Sequence, residues 1–502
     1  MNGNLQAAVA ALGAGRPALL WRRQIADTET PVAAALKLIE PGRGDFLLES
    51  VEGGETRGRH SLIGLAPDLL FRAHGQSAEI NARWLTDREA FVAADKPALA
   101  ALRDLVASCR MDVPPELPRA LACLVGYFGY ETVGLVETLP RPENDPLGLA
   151  DMMFVRPTVI LIFDRLADAL FLVAPVWPDA TRDPHVIAAE AQERIEATAA
   201  RLAATAIPAP VRAADLPDVA LTPTLPPGRY TEMVEAARDY IVAGDIFQVV
   251  LAQRFTVPFP LPPFELYRSL RRINPSPFLY HLDLPGFALS GSSPEILVRV
   301  RDGEVTIRPI AGTRPRGKTA AEDEANRTSL LADPKERAEH LMLLDLGRND
   351  VGRVASVGSV QVTASYTTEF YSHVMHIVSN VIGALDPAHD ALDALFAGFP
   401  AGTVSGAPKV RACEIIAELE NAVRGPYAGG VGYFSPDGSM DSCIVLRTAI
   451  VKDGVMHVQA GAGIVADSTP EYEQRECEAK AGALLAAARE AIARAGDAGF
   501  GQ

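Results

Sequence analysis

Pro208, Pro210, Pro217, Pro223, Pro226 and Pro227 crowd the stretch 207–227, and no long helix or central strand tolerates that density. The stretch predicts a linker or long surface crossing. It divides the chain into an N-terminal region 1–206, a proline-rich linker 207–228, a second region 229–490 and a tail 491–502. Before the break, residues 45–51, 61–65, 121–127 and 158–163 are short apolar runs bounded by Gly, Pro and Asp, as strands are. An Ala/Glu/Arg-rich helix is predicted over 180–205. After the break, Met233, Ala236, Ala237, Tyr240 and Ile241 recur at helical spacing and stop at Gly244. Residues 246–257 read as a strand. Residues 440–451 and 455–459 form a predicted hairpin through Asp453-Gly454, and Thr469-Pro470-Glu471 opens a helix. Hairpins beside helices, without strict β-α alternation, predict an α+β fold with antiparallel sheets.

Charge and sulfur narrow the function classes. The 502 residues carry a formal net charge of −16, the reverse of a nucleic-acid footprint, although a locally positive pocket still admits a small anion. No apolar run reaches the length of a membrane helix; the run 159–163 stops at Asp164. No basic residue precedes Arg16, so a secretory leader is not expected. Cys109, Cys123, Cys413, Cys443 and Cys477 are widely spaced without a CxxC, which fits reduced thiols in a cytoplasmic protein.

Two nucleotide motifs mislead. Gly312-Thr313-Arg314-Pro315-Arg316-Gly317-Lys318-Thr319 matches the phosphate-loop pattern and makes a P-loop NTPase the different-class alternative. However, Pro315 removes an N–H from the middle of the cradle, and the candidate magnesium partner Asp345 falls in a helical pattern instead of ending a strand. Gly461-Ala462-Gly463-Ile464-Val465-Ala466 resembles a dinucleotide fingerprint, but the helix opens only after it, at Thr469-Pro470.

Other residues carry better chemistry. Cys443, Val445, Arg447 and Ala449 are expected on one strand face, and an arginine on an apolar face needs an anion from the protein or from a ligand. The backbone of Gly461–Gly463, on the adjoining strand, is expected near it. Glu336 with Glu339, and Glu473 with Glu476, are spaced three apart on two helices. Each pair alone reads as solvated surface; facing each other they suit Mg²⁺.

Taken together, the motifs resemble the anthranilate synthase large subunits of the chorismate-utilising enzyme family. The matching segments are Leu47-Leu48-Glu49-Ser50, Asn274-Pro275-Ser276-Pro277, Pro309-Ile310-Ala311-Gly312-Thr313-Arg314-Pro315-Arg316-Gly317 and Asp345-Leu346-Gly347-Arg348-Asn349-Asp350. His373-Val374-Met375-His376, the stretch 399–409, Gly429-Gly430-Val431-Gly432-Tyr433 and Gln459-Ala460-Gly461-Ala462-Gly463 follow in the family's order. The resemblance implies two large sheets packed as a sandwich with flanking helices. It implies Glu339 and Glu476 as Mg²⁺ ligands, with Glu473 holding a metal-bound water. Gly312, Thr313, Tyr427, Arg447, Gly461, Ala462, Gly463 and Lys480 become substrate contacts. Glu295 becomes the general acid for the departing hydroxyl, His376 the histidine of pyruvate elimination, and Thr403 a neighbour of the ring. Lys409 is a further candidate to offset charge.

Two positions indicate the branch. Gln248 stands where water-adding members have a lysine base, so ammonia, already a nucleophile, fits better. Ala311 stands where the aminodeoxychorismate branch, the near alternative, carries lysine. The implied reaction turns chorismate and ammonia into anthranilate and pyruvate, the first step of tryptophan biosynthesis. Glu49 and Ser50, with Asn274, Pro277, Phe278 and Leu279 as the opposite wall, match an L-tryptophan feedback site. No cysteine lies in a glutaminase-type G-x-C-x-G turn, so ammonia is expected from a separate glutamine amidotransferase subunit (component II) in a hetero-oligomer.

Overall fold

The computed structural model describes residues 2–52, 56–204, 219–371 and 374–496. It contains two twelve-stranded sheets whose paired strands run antiparallel, eleven strands of each in one order with Gly406–Ala407 pairing off the first path on Gln248–Pro258 and Gln361–Phe370 off the second on Val374–Ala384, so the α+β expectation with flanking helices is met. The first sheet runs in the order Ala18–Ile25, Ala169–Val176, Val159–Asp164, Thr56–Leu65, Asp45–Glu52, Phe278–Leu284, Phe287–Ser293, Thr448–Lys452, Val455–Ile464, Gln248–Pro258, Thr222–Pro223. The second runs Ile310–Pro315, Val374–Ala384, Glu304–Ile307, Ile296–Arg301, Met440–Ile444, Gly430–Phe434, Leu124–Phe128, Met152–Arg156, Leu69–His74, Ser77–Asn81, Val92–Ala93. Residues on both sides of the proline-rich stretch therefore contribute to both sheets. Residues 207–218 of that stretch lie outside the described residues; Thr222–Pro223 pairs with the Gln248–Pro258 strand.

Strand alternation explains the layering. Ile160 and Ile162 join Phe46, Leu282, Val125 and Val155 in a core between the sheets. Val159, Leu161 and Phe163 point the other way, under helices contributing Ala8, Leu38 and Ile195. The Pro184–Ala203 helix starts where Asp183 accepts from the His185 N–H and Pro184 occupies the first turn. The Arg229–Ala243 helix ends at Gly244 with φ of 85°, and Asp453-Gly454 makes the expected hairpin turn at φ of 51° and 74°.

The predicted single strand over 440–451 is instead two strands in different sheets. Met440–Ile444 belongs to the second sheet and Thr448–Lys452 to the first, and Arg447 occupies the crossover with φ of 47°. Alternation along one strand therefore does not place Arg447; a change of sheet does. No helix among the described residues is long and apolar enough to cross a membrane.

Candidate active site

The site grows from two crossovers lying side by side. Phe287–Ser293 pairs with Thr448–Lys452 in one sheet, while Ile296–Arg301 pairs with Met440–Ile444 in the other. Both chains must switch sheets at the same level, through Pro294-Glu295 and through Val445-Leu446-Arg447. Ser293 Oγ donates to the Ile444 carbonyl at 2.6 Å, and the Ile444 N–H donates to the Glu295 carbonyl at 3.0 Å, locking the crossovers together. Glu295 is consequently buried beside the charge of Arg447. Burial pushes its carboxyl up to about 8, against the opposing pull of the Thr403 hydroxyl, the Ile310 backbone and Arg447.

Arg447 makes no ion pair with a carboxylate among the described residues. Burial lowers its pKa, and the nearby Tyr371 and Glu295 oppose that shift. The strand Val455–Ile464 pairs with Thr448–Lys452 only as far as Ala449↔Val458, so residues 459–464 extend past the end of that neighbour, towards the crossover. On the other side they pair with Gln248–Pro258, Ala252 opposite Gly461, Leu251 opposite Ala462 and Val250 opposite Gly463. Glycine is needed here for space: a Cβ at 461 comes within 2.8 Å of the Tyr427 hydroxyl and of the Leu251 carbonyl, and one at 463 within 2.6 Å of Gln248 Nε2. Tyr427 is itself buried, which raises its phenol pKa.

The false phosphate loop is part of this wall. Gly312 is a bulge at φ of 69° within the Ile310–Pro315 strand, which pairs with Val374–Ala384; the helix begins only at Ala320. The loop's first residues lie in a sheet ladder, and the N–H groups of Gly317 and Lys318 donate to Asp323 at 2.7 Å and Glu322 at 2.6 Å, so they form no phosphate cradle. The Gly312 carbonyl accepts from His376 Nδ1 at 2.8 Å, and Thr313 Oγ1 lies 3.1 Å from the same nitrogen. A carbonyl only accepts, so Nδ1 carries the proton and Nε2 keeps its lone pair. Burial brings the His376 pKa down to about 4, so the ring is neutral at pH 7. Sequence reasoning missed Tyr371, whose ring packs edge-on to His376 at 5.4 Å between centroids; only the fold puts those two side by side.

The two acidic helices, Pro334–Gly352 and Pro470–Gly496, bring their carboxylates within electrostatic reach of one another. Burial raises the Glu339 pKa, and the charges of Glu336 and Glu476 push the same way, against Gln248 and Lys335. Gln248 Nε2 donates to Glu339 at 3.4 Å. Glu473 is buried, and that burial raises its pKa too. Lys480 pairs with Glu476 at 2.7 Å and donates to the Gly461 carbonyl at 2.8 Å, joining this cluster to the glycine strand. Glu336 is held by Arg314 at 2.9 Å as Glu476 is by Lys480, so Glu339 and Glu473 are the two carboxylates of this cluster without an ion pair among the described residues. Among the described residues no group of three or more His, Cys, Asp or Glu forms a ready cage for a metal. Mg²⁺ asks for less, one or two carboxylates with water and ligand oxygens, and Glu339 and Glu476 supply like charges that a cation relieves. Lys409 is spent elsewhere, on the buried Asp350 at 3.1 Å.

The tryptophan-site candidates line a second place. Glu49, Ser50, Pro277, Phe278 and Leu279 border a cavity of about 750 Å³ between the sheets, where Phe278 faces Ser50 and Leu279 faces Glu49 across adjacent strands. Asn274 is not in that lining; its carbonyl accepts from Ser292. Nor is Glu49 a free carboxylate. Arg271 grips it at 2.9 and 3.0 Å, and the Tyr267 hydroxyl donates at 2.7 Å, partners about 220 residues away that no local motif reveals.

Residues 45–486 match the family described as chorismate binding enzyme. Anthranilate synthase component 1 of Cereibacter sphaeroides is 51% identical over 492 residues, covering 97% of this chain and 98% of that protein. The component 1 protein of Thermus thermophilus is 47% identical, covering 92% and 96%. The crystal structure of anthranilate synthase component I from Streptococcus pneumoniae superposes with a TM-score of 0.73 at 38% identity, over 85% of this chain and 92% of that one. The menaquinone-specific isochorismate synthase of Escherichia coli, at 20% identity and a TM-score of 0.69, shares the fold. The chain belongs to the chorismate binding enzyme family and is an enzyme acting on chorismate.

Proposed function

We propose that the chain is the aminating subunit of an anthranilate synthase, converting chorismate and ammonia to anthranilate, pyruvate and water. The observation that carries this reading is Glu295, a buried carboxyl with a pKa pushed up to about 8, facing an arginine that makes no ion pair among the described residues. An acid protonated at neutral pH suits loss of a hydroxyl as water, and the free guanidinium suits a substrate carboxylate. Relatives named anthranilate synthase component 1 support ammonia as the nucleophile.

Ammonia attacks ring carbon 2, and the C4 hydroxyl leaves as water with the Glu295 proton. Loss of the C2 proton then breaks the bond from ring carbon 3 to the enolpyruvyl oxygen, and the ring becomes aromatic. The enolpyruvate takes up a proton to become pyruvate. His376, neutral with Nε2 free, is the available acceptor for the C2 proton. Arg447 and the Gly461–Gly463 backbone hold the enolpyruvyl carboxylate, with Tyr427 and Lys480 bracing that strand. Gln248 offers an amide that cannot deprotonate water. Glu339 and Glu476, with Glu473 through a water, would hold Mg²⁺, which would supply Lewis-acid charge at the ring carboxylate.

In this reading a glutamine amidotransferase subunit provides the ammonia. L-tryptophan occupies the cavity beside Glu49, Ser50 and Phe278, with its ammonium sharing Glu49 with Arg271. All five cysteines are buried and free, which fits the reducing cytoplasm.

The test is turnover of the purified chain with chorismate, Mg²⁺ and ammonium, with products separated by chromatography. Equimolar anthranilate and pyruvate are expected, and glutamine should replace ammonium only after a glutaminase subunit is added. Aminodeoxychorismate without pyruvate would contradict the reading. The metal assignment has its own check in Glu339→Gln. That change removes a like charge, so the metal-free variant should melt no lower than the parent, while the stabilisation by millimolar Mg²⁺ disappears. An Mg²⁺-induced rise in Tm equal to the parent's would move the metal elsewhere.

A further inference from the structure

Arg424 is among the most deeply buried large side chains of the fold, 1% exposed. Its Nε donates to Glu420 Oε2 at 2.9 Å, and a second nitrogen reaches Glu420 Oε1. The remaining donors leave the pair. One goes to the Val404 carbonyl at 2.9 Å and one to the Val250 carbonyl at 2.8 Å. The guanidinium carbon lies 5.6 Å from the Tyr427 ring centroid and 4.6 Å from that of Tyr130.

Three of these contacts, Val404, Val250 and Tyr427, fall next to residues of the proposed chemistry. Val404 closes the short turn Gly402–Val404 that carries Thr403, the hydroxyl beside Glu295. Val250 lies two residues along the strand from Gln248, on the same face. Tyr427 abuts Gly461. Glu420 adds a bond from the Ala252 N–H at 2.8 Å, opposite Gly461 in the ladder.

The segment bearing Arg424 is itself fastened from two sides. Glu131 accepts from the backbone N–H of Arg424 at 2.7 Å and of Gly425 at 3.0 Å. Arg254 donates to the Val423 carbonyl at 3.0 Å. A pair wanted only for stability could be replaced by packed apolar side chains at little cost. This one instead spends its forked donors on carbonyls of two separate elements, which fixes their spacing.

We propose that Arg424, oriented by Glu420, is a positioning residue for the reaction: its buried guanidinium sets Thr403, Gln248 and Tyr427 in register without touching substrate. The proposal rests on the reading of the site given above. Arg424→Lys keeps the charge opposite Glu420 but cannot reach both carbonyls. Its kcat should fall about ten- to a hundredfold, since small misplacements far from the chemistry have that effect. KM for chorismate should stay within about threefold, because Arg447 and the metal carboxylates are unmoved.

The alkaline limb of kcat provides a readout that a merely structural role would not move. Glu295 is faced by Thr403, the Ile310 backbone, Arg447 and Tyr371. Of these only Thr403 is released by the variant, so the limb should shift to higher pH. Faster amide exchange at residues 402–405 should accompany it. Glu420→Gln, a gentler change, should show the same three effects at smaller size, and it decides alone if Arg424→Lys does not fold. Folded variants with parental kcat, parental alkaline limb and parental exchange at 402–405 would overturn the proposal. If the parent chain makes no anthranilate, the functional reading fails, and amide exchange at 402–405 still judges the clamp.

Discussion

Glu295→Gln is expected to lower kcat by about two to four orders of magnitude while making the folded chain harder to melt. Both effects come from one cause. Burial holds the Glu295 carboxyl at about 8 in the fold against 4.5 for an ordinary glutamic acid. Below pH 4.5 the group is protonated folded and unfolded alike, and it costs nothing. As pH rises from 4.5 towards 8, the unfolded chain gives up the proton and the folded chain keeps it, so stability falls across that window. Above pH 8 the penalty is complete and on the order of several kcal/mol. Glutamine cannot ionise, so the Tm advantage of the variant should widen between pH 5 and pH 9. In the parent, kcat should decline as pH passes about 8, once rates are compared at equal free ammonia. A variant with parental kcat, or a Tm difference that does not change with pH, would remove Glu295 from its role.

Arg447→Gln is the second large effect. A guanidinium that makes no ion pair among the described residues has its interaction energy reserved for a ligand, and removing one side of such a buried pair is worth about 2–5 kcal/mol. The expected loss in kcat/KM for chorismate is therefore about two to three orders of magnitude, chiefly through KM, with weakened product inhibition by pyruvate. Arg447→Lys should recover little, because a point charge cannot present two parallel donors to a carboxylate. Steady-state kinetics in both substrates decide it. A KM within a factor of about two of the parent for Arg447→Gln would show that the carboxylate binds elsewhere.

What could be read from the sequence follows the range of each signal. Short-range signals carried through: the hairpin at Asp453-Gly454, the stop at Gly244, and the helical register of Asp345 that argued against an NTPase. Spacing on a helix pairs Glu336 with Glu339 and Glu473 with Glu476, but only the family resemblance singles out Glu339 and Glu476, and only the fold shows that the two helices approach. Signals depending on sheet-to-sheet connection failed. Residues 440–451 look like one strand because apolar alternation continues through the crossover, and nothing local marks the change of sheet at Arg447. The partners of Glu49 were not legible either, because Arg271 and Tyr267 reach it from far along the chain. Arg424 drew no attention in the sequence, since an arginine before Gly-Pro looks like any turn cation until Val404 and Val250 are seen converging on it.

The most direct test is a crystal structure of the chain with Mn²⁺ in place of Mg²⁺, anthranilate and pyruvate. The pyruvate carboxylate should lie on the Arg447 guanidinium against the Gly461–Gly463 backbone, with the anomalous metal peak between Glu339 and Glu476. Pyruvate in the cavity beside Glu49, or a metal bound away from those two carboxylates, would contradict the account.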